Sequence, residues 1–393
     1  MAKYPVYKES DLHQTEYRNF DEALMPATVL YHPSGVYNDC RRQWQGIPGI
    51  ERTKNGRIYV GFYSGMETEK PGNYVLLVYS DDDGASFSAP YLAILPPTMN
   101  VRCFDECLWI DPKGALHLYW AQSYGFMDGR IGVWESVCEN PDDENPRFSA
   151  PRRLANGIMM NKPIVLSSGE WLMTCAVYKD CNVSRTRDSV IPTQNIKIKE
   201  EEYSNIYIST DEGETFTLAG HSDYSDRLID EHMCIEKKDG SIWMLIRAKG
   251  GIGEATSYDK GYTWTNEKDS GIGGPCARFC IRRLKSGRML LINHHDFVGR
   301  NNLKAMVSED EGATWKGFLL LDERTPVTYP DMTEDDDGNI YITYDFGRYE
   351  EREILMAKIT EADILAGEIV TTSSYLKRVV NRATGVLVVY EKN

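Results

Sequence analysis

Long apolar runs are missing from this chain of 393 residues. No stretch of 18 consecutive apolar residues occurs, which excludes a transmembrane helix. The first twenty residues also lack the apolar core of a secretory signal. We therefore expect a cytoplasmic protein.

Paired cysteines are missing as well. The nine cysteines are an odd number, and none forms a Cys-x-x-Cys motif or the spacing of a zinc site. This pattern is typical of reduced, buried thiols in a cytoplasmic protein and not of a disulfide framework. We expect neither a metal nor a cofactor.

Basic residues are too few to balance the acidic ones. The chain has 44 Lys and Arg against 59 Asp and Glu, a net charge of −15. This balance argues against a nucleic-acid partner and against binding to an anionic membrane surface. It still permits a small basic pocket for an anionic ligand, and it leaves a homo-oligomer open.

Internal repetition is the strongest feature that the chain does have. A polar start, an apolar run, a glycine turn and a second apolar run recur six times, beginning at Gln45, Phe104, Met160, Asp230, Ala277 and Tyr329. Glycine after a small or polar residue supplies the positive φ that tight hairpin turns need. The six turns lie 47 to 71 residues apart, and further strand-like runs occur between them. Six β-hairpins are therefore predicted.

Units of roughly 40–50 residues with four strands are typical of propeller blades. We predict an all-β fold, a six-bladed β-propeller with four-stranded blades. The single domain covers residues 1–393, with blades at approximately 30–365 and the termini closing the ring. A pair of β-sandwiches is the alternative, but the even spacing of the turns disfavours it.

An eight-residue turn also recurs, at residues 80–87, 209–216, 257–264 and 308–315. The four copies share Ser-x-Asp-x-Gly-x-Thr/Ser-aromatic. Short side chains can accept hydrogen bonds from the turn, the glycine can adopt a left-handed conformation, and the aromatic ring can pack beneath. A calcium loop is disfavoured because no ladder of carboxylate ligands follows. We interpret these segments as structural turns on the outer edges of blades.

These turns resemble the Asp-boxes of the sialidase superfamily, and with the six hairpins the resemblance extends over about residues 30–365. It implies a six-bladed propeller of sialidase type. Sialidases hold the sugar carboxylate with three arginines and use a Tyr nucleophile activated by a Glu, with an Asp as acid/base. The Asp-box itself marks the fold and not the activity.

The resemblance assigns roles to four residues. The fourth hairpin resembles the Glu-then-Arg strand pair of the family, which implies that Glu231 activates the Tyr and that Arg247 binds the carboxylate. Arg300 resembles the third arginine, and Tyr329 stands at the position of the nucleophile. A free tyrosine has a pKa near 10, so that Tyr329 needs a base.

Two features of the family are missing. The first hairpin begins with Gly-Ile-Pro instead of Arg-Ile-Pro, so that Gly46 replaces the first clamp arginine, and Arg41 and Arg42 are the nearest substitutes. The usual acid/base Asp is not evident either. The loop after the first hairpin offers Glu67 and Glu69, and we assign Glu69 as the catalytic acid.

Polar residues at the starts of other hairpins are further candidates for binding substrate. Asn161 and Lys162 interrupt an otherwise apolar stretch, which suits a pocket rim better than a core. Asp105 begins the second hairpin and could orient sugar hydroxyls or act as a general acid.

Blades five and six contribute the last candidates. Asp331 and Arg348 cluster around the start of the sixth blade, and His294 could serve as a base or a ligand. His232, His294 and His295 lack the spacing of a zinc site.

Three functions are compatible with these residues. The first is a retaining, sialidase-like exo-glycosidase that hydrolyses a terminal acidic sugar from an acidic oligosaccharide. The second is a propeller lyase for uronate-linked sugars, with Tyr329, His232 or His294 as the base and Arg247 neutralising the acid group. The third is a glycan-binding propeller without catalysis. Polar candidates converge from at least four blades, which favours an enzyme.

Overall fold

Each predicted hairpin forms the two inner strands of one antiparallel sheet, and six such sheets form a ring. The structure is a computed structural model that describes residues 22–179 and 201–386. The six-bladed all-β propeller is thereby confirmed. No helix among these residues is long and apolar enough to cross a bilayer.

The first blade has five strands, in the order β1-β5-β4-β3-β2. They are β1 (Thr28–Tyr31), β2 (Trp44–Arg52), β3 (Ile58–Gly65), β4 (Tyr74–Ser80) and β5 (Leu92–Leu95), with a 3-10 turn at Gly35–Tyr37. The extra strand, β1, pairs antiparallel with β5 at the outer edge. The four predicted strands of this blade are thus joined by a fifth, residues 28–31, which covers an edge that would otherwise be open.

The other five blades have four strands each, in sequential order. Blade two contains β6 (Val101–Ile110), β7 (Leu116–Tyr124), β8 (Gly132–Cys138) and β9 (Arg152–Asn156). Blade three contains β10 (Ile164–Val165), β11 (Trp171–Ala176), β12 (Ser204–Ser209) and β13 (Thr217–Ser222). Blade four contains β14 (Met233–Glu236), β15 (Ile242–Ala248), β16 (Gly251–Ser257) and β17 (Thr265–Asp269).

Blades five and six complete the ring. Blade five contains β18 (Cys280–Arg283), β19 (Met289–His294), β20 (Leu303–Ser308) and β21 (Lys316–Asp322). Blade six contains β22 (Val327–Glu334), β23 (Asn339–Phe346), β24 (Glu353–Thr360) and β25 (Tyr375–Arg382). A short helix, Glu361–Ala366, begins at a capping box formed by Thr360 and Asp363.

The four eight-residue turns connect β4 to β5 in blade one, β12 to β13 in blade three, β16 to β17 in blade four and β20 to β21 in blade five. In the last of them, Ser308 Oγ accepts the N–H of Gly312 at 2.9 Å, and Asp310 Oδ1 accepts the N–H of Thr314 at 2.8 Å. A Cβ at position 312 would come within 2.6 Å of the Trp243 ring of blade four. The turn glycine therefore also lets the neighbouring blade pack closely.

Arg42 ties the first blade to the last. It is fully buried, and Nη2 donates to Asn381 Oδ1 at 2.7 Å while Nη1 donates to Ser64 Oγ at 3.1 Å. Gln45 Nε2 donates to the carbonyl of Arg352 at 2.8 Å in the same region. Arg42 is thus committed to the contact between blades one and six, and Arg41 is exposed. Neither replaces the missing clamp arginine, contrary to our expectation.

Candidate active site

In four blades, the innermost segment places a non-glycine residue in the left-handed region of φ at an equivalent position near the start of the inner strand. The residues and their φ angles are Ile47 (56°), Asp105 (48°), Glu231 (28°) and Tyr329 (57°). β2, β6 and β22 each have a register shift at this residue, and Glu231 lies just before β14. Such bulges re-aim side chains and are enriched near functional sites.

All four residues line one cavity of about 470 Å³ near the starts of the inner strands. Its walls are completed by residues from the first four blades and their loops: Tyr63, Glu69, Arg102, Phe104, Phe126, Met127, Tyr178, Lys179, Ser225, Arg227, Leu228, Ile229 and Lys249. Three of the four strained residues carry titratable side chains. The backbone strain therefore coincides with a concave, chemically reactive surface.

Two of the lining residues, Tyr329 and Glu231, form a bonded group with Arg247. Tyr329 Oη donates to Glu231 Oε1 at 2.8 Å, and Arg247 Nη1 donates to Tyr329 Oη at 3.2 Å. Arg247 Nη1 also lies 2.8 Å from Glu231 Oε1. The structure thus brings together three residues that the sequence analysis placed in one site.

Burial raises the pKa of Tyr329 above its ordinary value, and the anionic Glu231 raises it further. Arg247, Arg348 and Arg300 act in the opposite direction on the same pKa, so three guanidinium groups surround this phenol. A phenol with a raised pKa is protonated at neutral pH. Its hydroxyl becomes a nucleophile only if a neighbouring base removes the proton, and Glu231 is in place to do so.

Arg348 occupies the space that a side chain at position 46 would need. A Cβ at Gly46 would lie 2.4 Å from Cδ of Arg348. The Arg348 guanidinium carbon lies 4.3 Å from the centre of the Tyr329 ring. Although the first clamp arginine is missing from the sequence, blade six thus supplies a guanidinium to the same place.

Asp345 holds Arg348 in this position. Its Oδ2 accepts the N–H of Ile47 at 2.7 Å and lies 2.8 Å from Arg348 Nε. Arg348 Nη2 donates to Thr328 Oγ1 at 2.7 Å, and Nη1 lies 3.4 Å from Glu69 Oε1. Asp345 was not predicted from the sequence, although Arg348, three residues later, was.

Arg300 is connected to Arg247 through Cys276. Arg300 Nη2 donates to the carbonyl of Cys276 at 3.0 Å, and Arg247 Nε approaches its Sγ at 3.5 Å. Arg300 is partly exposed. Three predicted arginines, Arg247, Arg300 and Arg348, therefore lie around Tyr329 and provide planar donors of the kind that bind carboxylates bidentately.

Two carboxyl groups in the cavity wall are candidates for a general acid. Burial raises the pKa of Asp105 to about 7, with nearby Glu69 and Glu231 raising it and Arg102 lowering it. Asp105 Oδ1 is buried without a hydrogen-bond partner. Glu69 instead lies against Arg348 and helps to hold that guanidinium. Asp105, which we had considered mainly for binding, is therefore the better poised of the two.

A hydrogen-bonded pair beneath the cavity positions the backbone of the site. Asn161 Nδ2 donates to the carbonyls of Glu231 and His232 at 2.9 and 3.0 Å. Arg278 Nε donates to Asn161 Oδ1 at 2.8 Å, and its Nη1 donates to the carbonyl of Pro330 at 2.9 Å. Asn161 thus supports Glu231 from below. The sequence analysis missed Arg278, because nothing local distinguishes an axial arginine from a surface one.

Lys162 does not form a pocket rim as predicted. It fills the axis below the cavity together with Asp331, which was predicted to bind substrate. Lys162 Nζ donates to the carbonyls of Ile50 and Leu108 and lies 2.9 Å from Glu51 and 3.1 Å from Asp331. Its side chain is only 1% exposed. A polar residue in an apolar stretch here marks a buried ion-pair cluster, because carbonyls and carboxylates of the inner strands converge on the axis.

The histidines proposed as bases lie in buried, bonded positions. His294 Nδ1 bonds the carbonyl of Asn301 at 2.8 Å, and His232 Nε2 bonds that of Asn205 at 2.8 Å. Burial lowers the pKa of each to about 4. Neither lines the cavity described above. The binding role predicted for His294 therefore has no support in its surroundings.

Comparisons with known proteins agree with this architecture. The profile of the BNR repeat-like domain family matches residues 98–342, more than half of the chain. No protein of curated function matches the chain by sequence.

Solved structures of sialidases have the same fold. A Hadza microbial sialidase superposes with a TM-score of 0.60 at 18% identity, covering 77% of this chain and 63% of its own length. The NanB sialidase of Streptococcus pneumoniae gives 0.62 at 14% identity, covering 83% and 69%. The intramolecular trans-sialidase of Ruminococcus gnavus gives 0.63 at 11% identity, covering 86% and 98%.

At these identities the likeness concerns the fold, and this chain spans less than two thirds of the Hadza enzyme. The profile match runs from the second blade to the beginning of β23 in the sixth, and three of the four eight-residue turns lie within it. The chain therefore belongs to the BNR repeat-like domain family and has the six-bladed propeller fold of the sialidase superfamily.

Proposed function

We propose that the protein is a retaining exo-glycosidase that removes a terminal sugar bearing a carboxylate from an oligosaccharide. The observation that carries this proposal is the hydrogen bond of 2.8 Å from Tyr329 Oη to Glu231 Oε1, within a group of three guanidinium ions. The phenol and its base could form a covalent glycosyl intermediate. The guanidinium groups of Arg247, Arg300 and Arg348 would bind the substrate carboxylate.

In the first step, Tyr329 Oη attacks the anomeric carbon and transfers its proton to Glu231. The bond between the anomeric carbon and the leaving oxygen breaks, and that oxygen takes a proton from Asp105. Arg247 contacts both the phenol oxygen and Glu231, so it stabilises negative charge on this pair as the proton moves. A neutral nucleophile also avoids the repulsion that a carboxylate would exert on an anionic sugar.

In the second step, water attacks the anomeric carbon and gives a proton to the Asp105 carboxylate. The bond to Tyr329 Oη breaks, and the phenolate recovers its proton from Glu231. The two displacements on one carbon retain the anomeric configuration.

Asp105 suits the acid/base role because its pKa of about 7 keeps a large protonated fraction at neutral pH. The assignment of this role to Glu69 stays a competing prediction, since Glu69 lines the same cavity. The two differ in surroundings. Asp105 has a buried, unbonded oxygen, whereas Glu69 is engaged with Arg348.

Product analysis tests the proposal against its alternatives. The protein should be incubated with acidic oligosaccharides in ¹⁸O-labelled water, and the products should be analysed by mass spectrometry and ultraviolet absorbance. Hydrolysis places one labelled oxygen on the released acidic sugar and creates no chromophore. A product that absorbs through a new C=C bond, without label, would establish the lyase instead. Binding without turnover, weakened by Arg247→Ala, would establish the glycan-binding propeller.

A further inference from the structure

Arg102 is a buried cation that the proposed reaction does not use. It belongs to β6 of blade two, is 1% exposed, and lines the cavity. In the described ranges, 22–179 and 201–386, no carboxylate oxygen lies within 4.0 Å of it. Its chain environment therefore leaves its charge without a neutralising partner at contact distance.

Most of the other buried arginines that the structure describes differ from Arg102 in this respect. Five of them have a carboxylate within 4.0 Å: Arg42, Arg130, Arg227, Arg247 and Arg278. Pairing is what normally makes a buried charge tolerable. A buried arginine in a cavity wall without such a partner therefore suggests that a ligand supplies the anion.

Aromatic rings hold the Arg102 guanidinium in place of an acid. Its central carbon lies 3.7 Å from the ring centre of Phe104 and 4.7 Å from that of Phe126, with Tyr63 at 5.6 Å. Cation–π contacts fix the plane of the group and leave the N–H edge free of strong acceptors. The orientation is thus set before a ligand arrives.

The N–H groups of Arg102 have little else to bond. Nη1 reaches the carbonyl of Phe126 and Nη2 reaches Tyr63 Oη only at 3.5 Å, while Nε is buried without a partner. Lys179 and Lys249 line the same cavity and are exposed. Arg102, Lys179 and Lys249 therefore contribute positive charge to a cavity wall that also contains Glu69, Asp105 and Glu231.

We propose that Arg102 binds a second oxyanion on the bound sugar. On this view, the substrate is an acidic sugar with two anionic groups: a carboxylate at Arg247, Arg300 and Arg348, and a sulfate, phosphate or second carboxylate at Arg102. The inference rests on the proposed function for the position of the first carboxylate. It extends that function to a narrower substrate class, sugars with two anionic groups. A site with only one cluster of cations would not prefer these sugars to those with a single carboxylate.

Calorimetric titration of ligand pairs tests this proposal without turnover. N-acetylneuraminic acid and glucuronic acid are each compared with derivatives carrying one added sulfate, phosphate or carboxylate. At least one derivative should bind the wild-type protein about tenfold or more tightly than its parent, and its identity distinguishes the three oxyanions. Charge-assisted bonds to a buried guanidinium are strong enough for this ratio. If no derivative exceeds its parent by more than twofold, the proposal is wrong.

Variants locate the preference. In Arg102→Gln the ratio of derivative to parent affinity should fall to about one, and in Arg102→Lys it should be intermediate because the planar fork is lost. Arg147→Gln is the matched control, since Arg147 is exposed and lies 4.5 Å from the Tyr31 ring outside the cavity. A ratio that survives in Arg102→Gln overturns the proposal. If that variant does not fold, an undiminished ratio in Arg102→Lys does so.

Two further measurements distinguish ligand binding by Arg102 from an effect of Arg102 on its neighbours. If Arg102 acted only on Asp105, its substitution would move the pH dependence of turnover and leave the ligand ratio unchanged. Arg247→Gln should weaken parent and derivative alike. If it weakens neither, the proposed function fails. If it weakens both but the wild-type protein shows no preference for any derivative, only the role of Arg102 fails.

Discussion

The outer turns and the inner strands of this propeller use the same backbone device for opposite purposes. Each set places a non-glycine residue at positive φ four times: Asp83, Glu212, Lys260 and Glu311 outside, and Ile47, Asp105, Glu231 and Tyr329 inside. The outer set shares a sequence motif, and the inner set shares only conformation. Repeats that build the fold can keep one sequence, whereas repeats that build a site must vary it.

The two sets also differ in how well their polar atoms are satisfied. In the outer turns, each Ser and Asp side chain bonds the backbone of its own turn, as Ser308 and Asp310 do. In the inner set, Asp105 Oδ1 and Glu231 Oε2 are buried without partners. Unsatisfied buried groups cost stability. Substitutions in the outer set should therefore affect stability, and substitutions in the inner set should affect activity.

Among the inner positions, Tyr329→Phe should have the largest effect on activity. Removal of the proposed nucleophilic oxygen should lower kcat on the order of 10⁴-fold to 10⁶-fold, because the proposed intermediate forms on that oxygen. Stopped and steady-state assays with an acidic glycoside measure the loss. Tyr344→Phe is the control, since Tyr344 is buried in the same blade and its hydroxyl contacts Asp322 at 3.3 Å. Activity of Tyr329→Phe within tenfold of wild type would remove Tyr329 from the mechanism.

Asp105→Asn should lower kcat about 10²-fold to 10⁴-fold for an unactivated leaving group. In the wild type, kcat/KM should fall as pH rises through about 7, because Asp105 must be protonated to act as the acid. The variant should lose this limb, and a nitrophenyl glycoside should be affected less because its leaving group needs no proton. Glu69→Gln is the comparison variant. If it removes the limb and Asp105→Asn does not, Glu69 is the acid.

Asp105→Asn should also stabilise the folded protein at high pH. The pKa of Asp105 is raised in the folded state to about 7, above its unfolded value. The folded state therefore loses stability as pH rises from about 4 to about 7. Urea denaturation should show Asp105→Asn to be more stable than wild type at pH 8, with a smaller difference at pH 4. Equal differences at both pH values would contradict the raised pKa.

Gly46→Ala should displace Arg348 and lower kcat/KM by about 10-fold to 100-fold, the range expected for one charge-assisted contact. Arg348→Ala should have a similar effect. The double variant Gly46→Arg with Arg348→Ala, which restores the arginine of the family at position 46, should recover part of the loss. Gly250→Ala is the control, because a Cβ there meets only Asp226 at an ordinary 3.6 Å. Unchanged kinetics in Gly46→Ala would show that Arg348 does not contact the substrate.

Ser308→Ala should have the smallest effect on activity. It removes the acceptor of the Gly312 N–H and should lower the free energy of unfolding by about 1 kcal/mol, with kcat/KM unchanged. The equivalent substitutions at Ser80, Ser209 and Ser257 should behave alike and add, because the four turns are far apart. A change in kcat/KM from any of these substitutions would contradict the assignment of the outer turns to stability alone.

The fold could be predicted because its signals are local. The hairpin turns and the eight-residue motifs are each complete within a few residues, and repetition makes them specific. Within the site, Glu231 and Arg247 could be paired because they belong to neighbouring segments of one blade. The same local reasoning failed for Lys162, whose surroundings come from three other blades.

The remaining features depend on contacts between distant segments. From the sequence alone, Gly46 indicates that an arginine is missing. The structure places Arg348 of blade six beside it, and local sequence does not reveal that blades six and one are in contact there. The raised pKa of Asp105 arises from burial, which a single hairpin does not reveal. Arg102 looks like an ordinary strand residue because the rings that hold it come from three different segments.

The ion-pair cluster around Lys162 bears on how a glycan could reach the cavity. Because its oxygen partners close the axis beneath the cavity, a glycan cannot thread through the ring from one face to the other. In the proposed reaction, both products would therefore leave by the mouth through which the substrate entered.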